Sequence, residues 1–401
     1  MRIALAHNRY GLPGRGSGEE VMIEAIQNLL ETRGHQVAPY IRSSLELNEM
    51  RFGRAHAFFN GIYSVGAQRD MARFLRREKP DLLLAQNLFP LFSPSILVAC
   101  RKADIPVIMR CPNYRLICPN GLLMTGGAIC EKCSGGKEYW CVLQNCEQNL
   151  FKSAGYALRN MVARRLSLFH ENVDIFMVLT AFAKQKLIEN GFVPDRVQVL
   201  SALADPSAFP AVPAPAATAL GRYVGFVGRV SPEKGVDLLV QAAATLPHIP
   251  FKIAGSYDPN DNVTQQAPQN VAFLGNLDRE PLIRFYQQAR MLVTPSRWYE
   301  GLPVVMIEAM LCAKPVIGSR LGGLPDVVED GRTGLLTPAG DIKALAAAIQ
   351  RLWDSPEQAR QFGLAGRRKA ESEYAPDAFY ARLMTAYATS LKRHPKRRLA
   401  A

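Results

Sequence analysis

Residues 223–246 read YVGFVGRVSPEKGVDLLVQAAATL, and this stretch decides the fold. Tyr223–Val227 is an apolar run with the length of a buried strand. Gly228, Pro232 and Gly235 punctuate a turn. Val236–Leu246 then carries apolar residues at helical spacing. Strand, turn and helix in that order form the repeating unit of a parallel sheet covered by helices. Free backbone N–H groups, starting at Gly228, and the positive end of the following helix favour a bound anion at this turn. Arg229 and Lys234 add two cations that suit the charge building on a leaving diphosphate.

The same alternation extends in both directions. Downstream, strands are expected at 251–254, 271–274, 291–294, 315–318 and 334–336, with helices at 279–288, 304–311 and 341–353. Upstream, strands are expected at 2–7, 36–41, 81–85, 106–110, 174–179 and 197–200, with helices at 19–32, 70–79, after Ser93, and at 155–169 and 182–190. Pro206, Pro210, Pro213 and Pro215 among alanines read as a linker at 206–221. The expectation is therefore α/β throughout: two doubly wound Rossmann-like domains, 1–205 and 222–375, facing across a cleft.

Composition narrows the class. At 401 residues the chain exceeds one ordinary core, and 48% hydrophobic content excludes a disordered chain. No apolar run is long enough to span a bilayer. The N-terminal apolar run is short and leads into a glycine-rich loop, so it reads as a first strand and not as a signal peptide. A cytoplasmic protein is expected. The net charge of +13 favours acidic partners: anionic lipid headgroups, nucleic acid or phosphate-bearing ligands.

A second motif, Ser296-Arg297-Trp298-Tyr299-Glu300-Gly301-Leu302-Pro303, follows the strand at 291–294 and opens a helix at Pro303. Glu300 falls in the turn, and Glu308 lies about a turn and a half into the helix. Carboxylates accept pairs of sugar hydroxyls, so Glu300 can reach a hexose and Glu308 a ribose. Base choice is expected from the loop around Gly275–Leu277. A third turn, Gly322-Gly323-Leu324-Pro325-Asp326, is weak by itself.

Together, Gly-Arg…Lys-Gly, Pro-Ser…Glu-x₇-Glu-Ala, Lys-Pro-Val-Ile, Gly-Gly-Leu-Pro-Asp and Gly-Leu-Leu resemble the donor-binding domain of retaining glycosyltransferases of family 4, which have the GT-B fold. The N-terminal half resembles that family's acceptor domain through Ser17-Gly18-Glu19-Glu20, Asn87-Leu88-Phe89-Pro90 and Asn113-Tyr114-Arg115. The resemblance implies a nucleoside-diphosphate sugar, carrying UDP or GDP, as donor and a glycan or lipid-linked acceptor. Arg229 and Lys234 would hold the diphosphate. Glu300 would lie by the sugar and Glu308 by the ribose. Gly228, Gly301, Leu302 and Leu277 would complete the donor site, with Ser17 and Gly18 approaching from the other domain. It also implies catalysis without a metal cofactor, and a last helix, 376–393, packing back on the first domain.

Two positions depart from the family pattern, which commonly has histidine where this chain has Gln86 and Pro112. Arg110, Asn113 and Arg115 are the candidate replacements on the acceptor side. A catalytically impaired nucleotide- or glycan-binding protein of the same fold is the alternative that these departures raise.

Six cysteines fall between 111 and 146. Cys130-x₂-Cys133 is a metal-type knuckle that Cys118, Cys141 or Cys146 can complete, and Cys118, Cys130, Cys133 and Cys146 are the candidate set for a structural zinc. Reduced cysteines in an irregular loop are the competing reading. A zinc-dependent nucleic-acid binder is a weaker rival, because the chain lacks any standard nucleic-acid module. Arg159, Arg164 and Arg165 interleave with Leu158, Met161 and Val162, which adds peripheral contact with an anionic inner membrane face to the expectations.

Overall fold

A computed structural model describes residues 1–10, 18–49, 53–209 and 221–394. The chain divides into two units. The first comprises residues 1–125, 130–203 and the chain from Phe379 on, and the second 126–129 and 204–378. Most of the 206–221 linker and the basic end of the tail fall outside the described residues.

The first unit is built on six parallel strands: β1 (Arg2–Arg9), β2 (Gln36–Ser43), β3 (Leu82–Ala85), β4 (Val107–Cys111), β7 (Ile175–Val178) and β8 (Val197–Val199). Two short strands, β5 (Met124–Thr125) and β6 (Ala128–Ile129), flank the turn at Gly126–Gly127. The six-strand order is β2-β1-β3-β4-β7-β8. All residues of β3, β4 and β7 are buried. Helices on both faces of a parallel sheet cover both sides, which is why these strands read as unbroken apolar runs and not as alternating ones.

The second unit repeats the plan with β9 (Tyr223–Val227), β10 (Phe251–Ala254), β11 (Val271–Gly275), β12 (Ala289–Thr294), β13 (Val316–Ser319) and β14 (Gly334–Thr337). Their order is β11-β10-β9-β12-β13-β14. Phe226, Leu239, Ile253, Met291, Ile317 and Ile349 lie in its core.

Both orders contain a point where the chain reverses direction across the sheet, which is where such folds open a crevice at the carboxyl ends of their strands. In the first unit it lies between β1 and β3, and in the second between β9 and β12.

The last helix, Pro376–Arg393, belongs to the first unit from Phe379 onward. There Tyr380 Oη sits 2.8 Å from His35 Nε2, and Phe379, Leu383 and Ala386 are buried. Among the helices missing from the sequence reading are Glu46–Glu49, Gly53–Ile62 and Tyr139–Leu143, and the helix expected at 155–169 is Leu150–Arg165. Asn149 starts Leu150–Arg165 by accepting a hydrogen bond from the Lys152 amide, 3.0 Å away.

Candidate functional site

In the second unit the turn after β9 and the loop after β12 meet at the crevice. Lys234 Nζ donates to Glu300 Oε1 at 2.6 Å, and Ser296 Oγ donates to the same oxygen at 2.8 Å. Glu300 is 4% exposed, so this charge is held inside the protein by a cation and a hydroxyl. The Lys234 ammonium also lies 5.5 Å from the Trp298 ring centre. Gly235 makes the approach possible. It takes φ +68, and a Cβ there would run into the Pro295 carbonyl.

The glycine turn that looked weak in the sequence supports the same loop. Gly322 has φ +59, and a Cβ there would lie 2.7 Å from Tyr299 Cα. The Gly323 amide donates to the Glu300 carbonyl at 2.9 Å. Three loops, after β9, β12 and β13, thus fix one carboxylate.

Arg229 behaves differently from Lys234. Its side chain is 72% exposed and touches Glu233 at 3.3 Å. It stays available to a phosphate, as an exposed pair of this kind is weak. In the same two loops, Ser231 Oγ and Trp298 Nε1 are buried with no hydrogen-bond partner among the described residues. Unsatisfied buried donors are costly unless a ligand accepts from them.

Glu308 is partly buried in the helix Val304–Leu311 and accepts a 2.6 Å hydrogen bond from Tyr286 Oη. Burial raises its pKa above the ordinary glutamate value, and the Tyr286 hydrogen bond and the Arg279 charge only partly oppose that. Gly301 and Leu302 lie partly exposed in the loop before this helix. Leu277 lies partly exposed in the segment after β11.

In the first unit Asn8 and Asn87 bridge the crevice between β1 and β3. The Asn8 amide donates to the Asn87 carbonyl at 2.8 Å, and Asn87 Nδ2 donates to the Asn8 carbonyl at 2.7 Å. Around it, Arg110 Nη1 donates to Gln86 Oε1 at 2.9 Å, and Asn113 Nδ2 donates to Glu19 Oε1 at 3.1 Å. Arg110 is 3% exposed, and burial pulls its guanidinium down to about 10. Gln86, a departure in the sequence, is thus the oxygen that partners this buried cation. Arg115 Nη1 donates to Tyr10 Oη at 2.6 Å. Pro112 lines the same small cavity as Gln86, Arg110 and Asn113. Ser17 lies outside the described residues, and the helix following it begins at Gly18.

The cysteine segment forms a small cluster in which Cys133, Cys141 and Ala157 are buried against Trp140, Val142 and Cys146. Cys118 Sγ contacts Asn120 Oδ1 at 2.9 Å and Cys130 Sγ contacts Gln144 Oε1 at 3.4 Å. Burial pushes the Cys133 thiol up to about 12. Among the described residues no group of three or more His, Cys, Asp or Glu is arranged to hold a metal ion. Cys100 and Cys312 are separately buried, away from this cluster.

The basic helix differs from its sequence reading. Arg159 is 4% exposed, because it lies on the inner side of Leu150–Arg165. Arg164 pairs with Glu138 at 2.7 Å. No helix among the described residues is long and apolar enough to cross a membrane.

Two parallel-sheet units with these strand orders define the GT-B fold, and solved structures agree. Sucrose-phosphate synthase from Thermosynechococcus elongatus superposes with a TM-score of 0.70 at 20% identity, covering 96% of this chain and 98% of that one. Anabaena Alr3699/HepE in complex with UDP gives 0.66 at 17% identity, covering 97% and 100%.

Residues 221–355, which lie in the second unit, match the model of the family Glycosyl transferases group 1. The alpha-maltose-1-phosphate synthase of Mycolicibacterium smegmatis is 33% identical over 209 residues, 45% of this chain and 54% of that protein. The D-inositol 3-phosphate glycosyltransferase of Mycobacterium sp. (strain JLS) is 32% identical over 222 residues, 51% and 49% of the two chains. The chain thus spans about half the length of the curated relatives it matches.

Proposed function

We propose that the protein is a retaining hexosyltransferase that takes its sugar from a nucleoside-diphosphate donor, UDP- or GDP-linked, and passes it to a hydroxyl of a glycan or lipid-linked acceptor in envelope or exopolysaccharide assembly. The observation that carries the reading is the Lys234–Glu300–Ser296 contact at the β9/β12 crevice, with Arg229 exposed beside it. The relative named D-inositol 3-phosphate glycosyltransferase and the Anabaena structure holding UDP support it.

In the proposed transfer the bond from the sugar's anomeric carbon to the diphosphate oxygen breaks, and one forms to the acceptor oxygen. The acceptor proton leaves with the diphosphate. Negative charge grows on the departing diphosphate, so fixed cations lower the barrier. Arg229 and Lys234 supply that charge, and no metal ion is then needed. Glu300 orients Lys234 and accepts sugar hydroxyls, while Glu308 accepts from the ribose. The positive surface brings the enzyme to the inner face of an anionic membrane, within the cytoplasm.

A thermal-shift panel of UDP, GDP, ADP and their sugars tests this. Stabilisation by one nucleotide and its sugar is expected, and stabilisation by none would sink the reading. Pro112 and the engagement of Gln86 by Arg110 favour a second reading, a donor-binding protein without transfer. Transfer or donor hydrolysis by the wild type, lost in Glu300→Ala and Arg229→Ala, decides against it.

A further inference from the structure

The helices Gly53–Ile62 and Leu150–Arg165 line a groove of about 630 Å³ in the first unit, beside the β1/β3 crevice. Two chemistries meet in its walls. One is aromatic: Phe58, Phe89, Phe151 and Tyr156. The other is cationic: Arg115, Arg159 and Lys152.

The cations are unequally neutralised. Lys152 Nζ pairs with Glu147 at 2.5 Å. Arg159 is 4% exposed, lies 4.1 Å from the Phe89 ring centre and 4.5 Å from that of Tyr156, and donates only to neutral oxygens, Pro119 O at 2.9 Å and Asn160 Oδ1 at 3.2 Å. Arg115 donates to Tyr10 Oη and Asn87 Oδ1, and its Nε is buried with no hydrogen-bond partner. A guanidinium as buried as that of Arg159, with no carboxylate in contact, is costly. An anionic ligand group between the two arginines removes that cost.

The aromatic end is exposed where a folded protein usually hides it. Phe58 and Phe151 stack with ring centres 4.8 Å apart, yet Phe151 remains 65% exposed, Leu150 61% and Phe59 67%. A contiguous exposed apolar patch of this kind marks an interaction surface. A free sugar phosphate satisfies the arginines but offers only hydroxyls to these rings. A phosphate carrying a hydrocarbon chain satisfies both ends.

We propose that the groove takes a lipid-linked phosphate. Its phosphate or diphosphate lies between Arg115 and Arg159, and its chain runs along Phe58, Phe89 and Phe151 towards Leu150 and Phe59, which meet the membrane from which the chain emerges. That this ligand is the acceptor rests on the glycosyltransferase reading above.

Calorimetric titration of the full chain, saturated with the nucleotide that stabilises it, tests the assignment with farnesyl phosphate below its micellar concentration. Farnesol, inorganic phosphate and glucose 1-phosphate serve as controls. Farnesyl phosphate is expected to bind at least ten-fold tighter than any control. Phe151→Asp, at an exposed position, and Arg159→Met are each expected to weaken it at least ten-fold with nucleotide binding unchanged. Tighter binding of glucose 1-phosphate, equal affinity in wild type and both variants, or no saturable binding with nucleotide stabilisation intact would each overturn the groove assignment alone. Farnesyl phosphate binding by a chain that no nucleotide stabilises would instead overturn the glycosyltransferase reading, and with it the acceptor role.

Discussion

Lys234 and Glu300, 66 positions apart in the chain, form a 2.6 Å ion pair, with the lysine side chain 23% exposed and the glutamate 5%. The sequence suggested two separate ligand contacts. The structure makes them one unit, in which the lysine compensates the buried carboxylate and the carboxylate aims the ammonium.

That pairing predicts strong non-additivity. Lys234→Met leaves Glu300 buried without its cation and is expected to cost about 3 kcal/mol. Glu300→Gln in the same chain removes the stranded charge, so the double variant is expected to recover part of the loss, with a coupling of roughly 1–3 kcal/mol. Urea unfolding of the four proteins measures it, and simple additivity would disprove the pairing.

The second glutamate predicts a pH dependence. Burial raises the Glu308 pKa, while the Tyr286 hydrogen bond holds it down in part. A ribose needs the carboxylate form, which fills only as pH rises through the raised value. Affinity for the stabilising nucleotide should therefore increase with pH there. Tyr286→Phe removes the opposing hydrogen bond and is expected to move the inflection to higher pH, and Glu308→Gln to abolish it. Nucleotide titrations across pH 5–8 read both effects, and an unmoved inflection in Tyr286→Phe speaks against this role for Glu308.

His7 predicts an acid limb of stability. It is 1% exposed on β1 with neither ring nitrogen hydrogen-bonded, and burial lowers it to about 4 from 6.5, with the Arg9 and Arg110 charges also lowering and Glu20 opposing. The folded value lies below the unfolded one, so the unfolded chain takes up the proton first. The stabilising effect of a neutral His7 is complete above 6.5 and is lost as pH falls towards 4. A loss on the order of 2–3 kcal/mol is expected over that window. His7→Phe should show a flatter limb in urea midpoints taken between pH 7 and 4, and identical limbs would refute the assignment.

Much of this protein was legible along the chain. Unbroken apolar runs such as Leu82–Ala85 and Tyr223–Val227 mark strands buried on both faces, and glycines mark the turns between them. The Arg229–Gly235 turn and the Glu300 and Glu308 positions were legible because strand, turn and helix are local patterns. Ser296 was within the same motif, four residues before Glu300, though nothing local assigned it a partner.

Pairing was decided only by the tertiary structure. β9 and β12 are neighbours although β10 and β11 intervene in sequence, and that order brings Lys234 to Glu300. Tyr286 reaches Glu308 from another helix, with no periodicity to announce it. Gln86 meets Arg110 because β3 lies beside β4. Arg159 reads as a surface cation by composition but is buried, since helix packing chooses which side of Leu150–Arg165 turns inward. Hydrophobic spacing is written along the chain, whereas the partner of a buried charge depends on which strands lie side by side, a long-range property of the sheet.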